Sequence, residues 1–74
     1  MAETNVLIDM PIEQDALERL RAIPGIIVRT VEYEETTRPL PAELIQDVNI
    51  HFCAYPPANF DDMRAIKLIQ ICSS

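Results

Sequence analysis

Residues 48–59 read Val-Asn-Ile-His-Phe-Cys-Ala-Tyr-Pro-Pro-Ala-Asn. The first half has the character of a strand, and the second half dictates where that strand must stop. Two successive prolines lack two ladder donors, so they cannot lie inside a central strand. The strand therefore ends near Cys53 or Ala54, and the chain turns outward at Tyr55-Pro56-Pro57. This strand reads as central in a parallel sheet, covered on both faces. Tyr55 then stands at the lip of the edge where open α/β sheets place their sites.

The flanking segments alternate between strand and helix patterns. Residues 5–10 hold the short apolar run Val6-Leu7-Ile8, a second doubly covered strand. Pro11 is expected to open a helix, where its missing N–H costs nothing. Ile12, Ala16, Leu17, Leu20 and Ile23 recur at helical spacing and predict one apolar stripe. Glu13 and Asp15 fall near the positive helix end, Arg19 and Arg21 near the negative one. Asp15 and Arg19 are also an i,i+4 pair on what reads as a solvated face. Pro24-Gly25 ends the helix.

Residues 26–33 are rich in β-branched side chains and become half polar, which suits an edge strand. A polar loop over residues 34–38 leads to a short helix from Ala42 to about Asp47, with Leu44 and Ile45 facing in. Beyond the Tyr-Pro-Pro loop, Asn59 is expected to cap a brief helix from Phe60 to about Ala65. Residues 66–72 then form a fourth strand. The order β-α-β-α-β-α-β implies right-handed crossovers and a parallel sheet. The expected fold is a three-layer α/β sheet of strand order 2-1-3-4. Its switch point is lined by Met10-Pro11 and Tyr55-Pro56-Pro57. The fourth strand is apolar on both parities, and its open aliphatic edge predicts self-association.

Several function classes are excluded by what is scarce. The chain holds one glycine, Gly25, in 74 residues, where average usage supplies about five. Phosphate-cradling loops need several, so no dinucleotide or P-loop site is expected. The net charge of −6 repels nucleic acid and anionic membranes. No apolar run is long enough to span a bilayer, and no basic leader precedes the first strand, so a cytoplasmic location is expected. Cys53 and Cys72 have no metal-type spacing and read as small buried hydrophobes. His51, the single histidine, lies mid-strand and reads as core, since a catalytic histidine is better placed at a strand end. A phosphoacceptor receiver needs an acidic pair after the first strand and an Asp ending the third. Asp9 and the Cys53-Ala54-Tyr55 ending do not supply them. Met10-Pro11-Ile12-Glu13 is no flavin-phosphate turn. What remains open is a lobe that shapes a pocket while another domain carries the chemistry.

The segment order resembles the N-terminal part of the D-isomer-specific 2-hydroxyacid dehydrogenases, which include D-3-phosphoglycerate dehydrogenase. The residues that carry the resemblance are Val6-Leu7-Ile8, Ala16-Leu17-Glu18-Arg19-Leu20 with Pro24-Gly25, and Leu40-Pro41-Ala42-Glu43-Leu44-Ile45. The strand at Ile50 and the run Ile66-Lys67-Leu68-Ile69-Gln70-Ile71 complete it. It covers essentially all 74 residues. It implies a truncated, flavodoxin-like substrate-binding domain, one partial domain over residues 1–74. The Rossmann domain that binds NAD(P) in full-length members lies outside it. The family's catalytic Arg, Glu and His are on that Rossmann side, so none maps here and no cofactor is expected in this chain. The substrate-facing positions implied are Tyr55, Pro56, Ser73 and Ser74, with a small 2-hydroxy or 2-oxo acid as the ligand of the whole enzyme. The other expectation is a non-enzymatic α/β binding or interaction module.

Overall fold

A computed structural model describes residues 3–71. The sheet is built from β1 (Thr4–Asp9), β2 (Ile26–Thr30), β3 (Ile50–Cys53) and β4 (Leu68–Ile71). All pairings are parallel and the order is β2-β1-β3-β4, the expected flavodoxin-like α/β arrangement. The helices are α1 (Gln14–Arg21) and α2 (Ala42–Ile45), with a 3₁₀ turn at Phe60–Asp62.

Strand alternation divides the core in two. Leu7, Leu40, Ile45, Val48 and Met63 form one buried cluster, under α2. Val6, Ile8 and Leu17 form the other, under α1, with Ile50 and Phe52 packed against it. Helices therefore cover both faces, giving three layers. Each fully buried aliphatic side chain contributes roughly 1.5–3 kcal/mol, and the first cluster holds more of them.

Several elements are shorter than the sequence predicts. α1 begins at Gln14 and not at Pro11. Its N-cap is Glu13, which makes no side-chain capping bond; its chain is longer than those of the preferred caps. β2 stops at Thr30, which pairs with Ile8; the Val31 amide donates one last bond to the Ile8 carbonyl at 3.2 Å. α2 ends at Ile45. The helix expected from Phe60 to about Ala65 is only the 3₁₀ turn.

Asn59 precedes that turn but makes no capping bond to it. Its side chain instead accepts from the Leu40 amide at 2.9 Å and donates to the Leu40 carbonyl at 2.7 Å, tying two loops together. Gly25 has φ +80°, the left-handed region open to glycine without a Cβ penalty. Its carbonyl accepts from Thr4 at 2.8 Å and starts the β1–β2 pairing.

At the amino end of the sheet Asn49 does the work of a ladder residue. The Asn5 amide donates to the Asn49 side chain at 2.9 Å, and the Asn49 amide returns a bond to the Asn5 carbonyl at 2.9 Å. The Asn49 carbonyl accepts from Lys67 and Leu68, and its side-chain amide donates to the Ala65 carbonyl. One residue thereby joins β1, β3 and β4 and fixes their register.

Candidate functional site

The carboxyl ends of β1 and β3 lie side by side, with Asp9 opposite Cys53. This is the switch point of the sheet. The loop after β3 leaves here, and Tyr55 is 38% exposed at its lip. Pro56 is half-buried and Pro57 buried. The loop is held down by a bond from the Ala58 amide to the Arg38 carbonyl at 2.9 Å. Tyr55 and Pro56 therefore follow the carboxyl end of β3. Ser73 and Ser74, and Cys72 with them, lie outside the described residues.

Sequence reasoning missed the clasp that closes this edge. Asp9 is 2% exposed. Arg38 reaches back across the loop after β2 and donates to both carboxylate oxygens, at 3.2 and 3.1 Å. The same guanidinium donates to the Glu32 carbonyl at 2.7 Å and pairs through Nε with Glu34 at 2.9 Å. The hydrogen bond to Asp9 raises the Arg38 pKa above its usual value, against an opposing effect of burial; the charges of Asp9, Glu34 and Glu32 add to the rise. Tyr33 joins the rim. Its phenol is raised by burial, then by Tyr55, Glu35 and Asp9.

A signal for the clasp was present in the sequence. A carboxylate ending a buried central strand needs a counter-charge. Arg38 is the sole Lys or Arg between Arg29 and Arg64.

His51 sits on the same face as Asp9, one strand over, fully buried. Both ring nitrogens are without a hydrogen-bond partner. Burial lowers its pKa below the usual histidine value; Asp9 and a nearby Leu7 backbone group oppose this without winning. A neutral, sealed imidazole cannot exchange protons with a ligand in the crevice. It is a core residue, as its mid-strand position predicts. Cys53 is likewise fully buried.

The edge therefore offers an aromatic lip, a proline wall and a self-engaged guanidinium. It can shape a pocket. Its charges, Asp9, Glu32, Glu34 and Glu35 against Arg38, leave no free cationic fork for an incoming carboxylate. Among the described residues no group of His, Cys, Asp or Glu is placed to hold a metal, and no helix is long and apolar enough to cross a membrane. Comparison with family models, curated proteins and solved structures finds no match for the chain.

Proposed function

We propose that the chain is a substrate-binding lobe of an NAD(P)-dependent D-2-hydroxyacid dehydrogenase, inactive by itself. The supporting observation is that the Tyr55-Pro56 loop leaves β3 at the switch point of a β2-β1-β3-β4 parallel sheet. That is where a pocket-shaping lobe would meet the domain that binds the nicotinamide. Hydride transfer also needs a bound cofactor, a base and a cation for the substrate carboxylate. In this reading the cofactor domain supplies all three, and this lobe supplies one wall.

The test is a fusion. A Rossmann domain and returning C-terminal segment from a D-2-hydroxyacid dehydrogenase are joined after Ser74. The fusion should oxidise NADH in the presence of a 2-oxo acid. Tyr55→Ala in it should raise KM more than it lowers kcat, because Tyr55 shapes binding and transfers no proton. A folded fusion that binds NADH and reduces no 2-oxo acid rejects the reading.

One observation favours a second reading, a non-enzymatic α/β module. The Arg38 clasp engages the crevice's own cation and leaves an acidic rim, which repels a carboxylate substrate. In that case Arg38→Gln in the fusion leaves activity absent. In the dehydrogenase reading the fusion is already active with Arg38 in place.

A further inference from the structure

One buried carboxylate stands within reach of two basic groups. Asp9 accepts from Arg38 at 3.2 and 3.1 Å. His51 lies one strand over, two residues before Cys53, the residue that pairs with Asp9. Neighbouring strands are about 4.8 Å apart and two residues rise about 6.6 Å, so the two Cα atoms are about 8 Å apart on one face. An imidazole and a carboxylate reach across such a diagonal. Both ring nitrogens find no partner among the described residues, and the residue is fully buried. A buried polar group left in that state asks for an explanation. The charge that acts on the ring is that of Asp9.

The other titratable groups of that layer do not compete for Asp9. Glu43 on α2, Asp47 after it, and Asp61 and Arg64 around the 3₁₀ turn are exposed. Asp62 accepts from Asn59 at 3.0 Å. Glu32, Glu34 and Glu35 are exposed on the loop after β2. Tyr33, Tyr55 and Cys53 offer no positive charge, and β4 sets Ile69 opposite His51. With Arg38 in place, a protonated ring would set two positive charges against one carboxylate in a low-dielectric interior. With Arg38 turned outward, imidazolium and carboxylate make a neutral buried pair, and the guanidinium keeps Glu34 and water. The swing needs no rearrangement of the loop ends. The Ala58 amide holds the Arg38 carbonyl at 2.9 Å, and the Val31 amide is bonded to Ile8 at 3.2 Å. The Arg38 side chain is already 18% exposed.

We propose that proton uptake by His51 moves the Asp9 carboxylate from Arg38 to the imidazolium and turns the Arg38 guanidinium out to the crevice rim, where it holds an oxyanion. The ring is sealed while the clasp is shut, so opening and protonation are one event, and the ring titrates below an exposed histidine. The rim thereby has two charge states. It is acidic with the clasp shut, and it carries a free cationic fork, suited to bidentate capture of an oxyanion, with the clasp open. The inference does not rest on the dehydrogenase reading, because it concerns the rim's own charges and its test measures no turnover.

The experiment follows the isotope-labelled chain by NMR from about pH 8 to about pH 5, through the His51 ring carbons and the Arg38 Nε–H. As the ring takes its proton, the Arg38 signal should move with the same midpoint. Inorganic sulfate is the probe, because its charge is constant over that range. It should bind about fivefold tighter at about pH 5 than at about pH 7.5, with the largest shift at Arg38. Saturating sulfate should raise the His51 midpoint, since proton and anion favour the same state. His51→Leu, which takes up no proton, should cut the affinity ratio to below about twofold, the share left to the other acidic groups. The proposal is overturned if Arg38 stays unmoved while the ring titrates, or if sulfate leaves the His51 midpoint unchanged. An affinity ratio that survives His51→Leu would assign the opening to protonation of Asp9 and overturn it too. Unfolding of the chain before the ring titrates would do the same.

Discussion

The two faces of the sheet are made from the same strands and differ in how completely they close. Under α2, Leu7, Ile45 and Val48 are at most 1% exposed, and loop residues Leu40 and Met63 seal the margin. Under α1, burial is confined to Val6, Ile8 and Leu17, and the cluster fades through half-buried Ile50 and Phe52 to open Leu68. A four-residue helix with two anchored loops covers more than an eight-residue helix without them. Closure depends on where the connections run, and the connections from β2 to β3 and from β3 to β4 both cross the α2 face.

The sharpest way to break this contrast is to delete equivalent aliphatic volume on each face. Ile45→Ala should cost about 2–5 kcal/mol, most of the stability of a domain this small, and leave a chain without a cooperative urea transition. Leu68→Ala on the open face should shift the midpoint by less than about 0.5 kcal/mol. Equal losses at the two sites would show that the α1 face is closed in solution.

Removing the clasp comes next in size. Arg38→Ala leaves the Asp9 carboxylate buried without its partner and should cost about 3 kcal/mol, measured by the same urea titration. Asp9→Asn/Arg38→Gln should recover part of the loss. Full stability in Arg38→Ala would mean that water replaces the guanidinium freely, and that the crevice is more open than its geometry.

The smallest effect is a gain. His51→Leu replaces a ring whose two nitrogens are unpaired with an apolar side chain, and should add about 1–2 kcal/mol. It should also change the pH profile. Burial holds the folded-state pKa of His51 below its ordinary 6.5, so below about pH 6.5 the unfolded chain takes up the proton first. Stability associated with His51 is therefore full above that pH and falls as the pH drops. His51→Leu should remove that part of the acid slope. An unchanged slope would mean that the ring holds its proton equally well folded and unfolded, and a steeper slope that the folded ring is protonated and paired with Asp9.

The sheet order was legible because the Pro56-Pro57 pair and the β-branched runs bound each strand, and parallel crossovers leave few topologies. The Tyr55 lip followed from the same prolines. Element lengths were not legible. β2 stops where its pairing with β1 ends, at Ile8, and the turn after Asn59 is short because that side chain is engaged by Leu40. Both are facts about partners distant in sequence. The clasp escaped for the same reason, although Asp9 within an apolar segment was a clue. That the apolar stripe of α1 is buried at Leu17 and 44% exposed at Ile23 could not be read from periodicity, which reports which residues share a helix face and not how wide the surface beneath it is.

The pairings in this sheet have a consequence for how the chain is made. Among the described residues no strand pairs with a neighbour across a hairpin, and the bond from Asn5 to Asn49 spans 44 positions. Nonlocal parallel pairings form slowly, since the loop must close before any contact rewards it. At ~5–20 residues per second, translation delivers Asn49 on the order of 2–9 seconds after Asn5. Throughout that interval Val6, Leu7 and Ile8 are flanked by at most one strand. A nascent chain of this design is most exposed to aggregation before its third strand has been synthesised, and a pause in translation before Ile50 would lengthen that exposure.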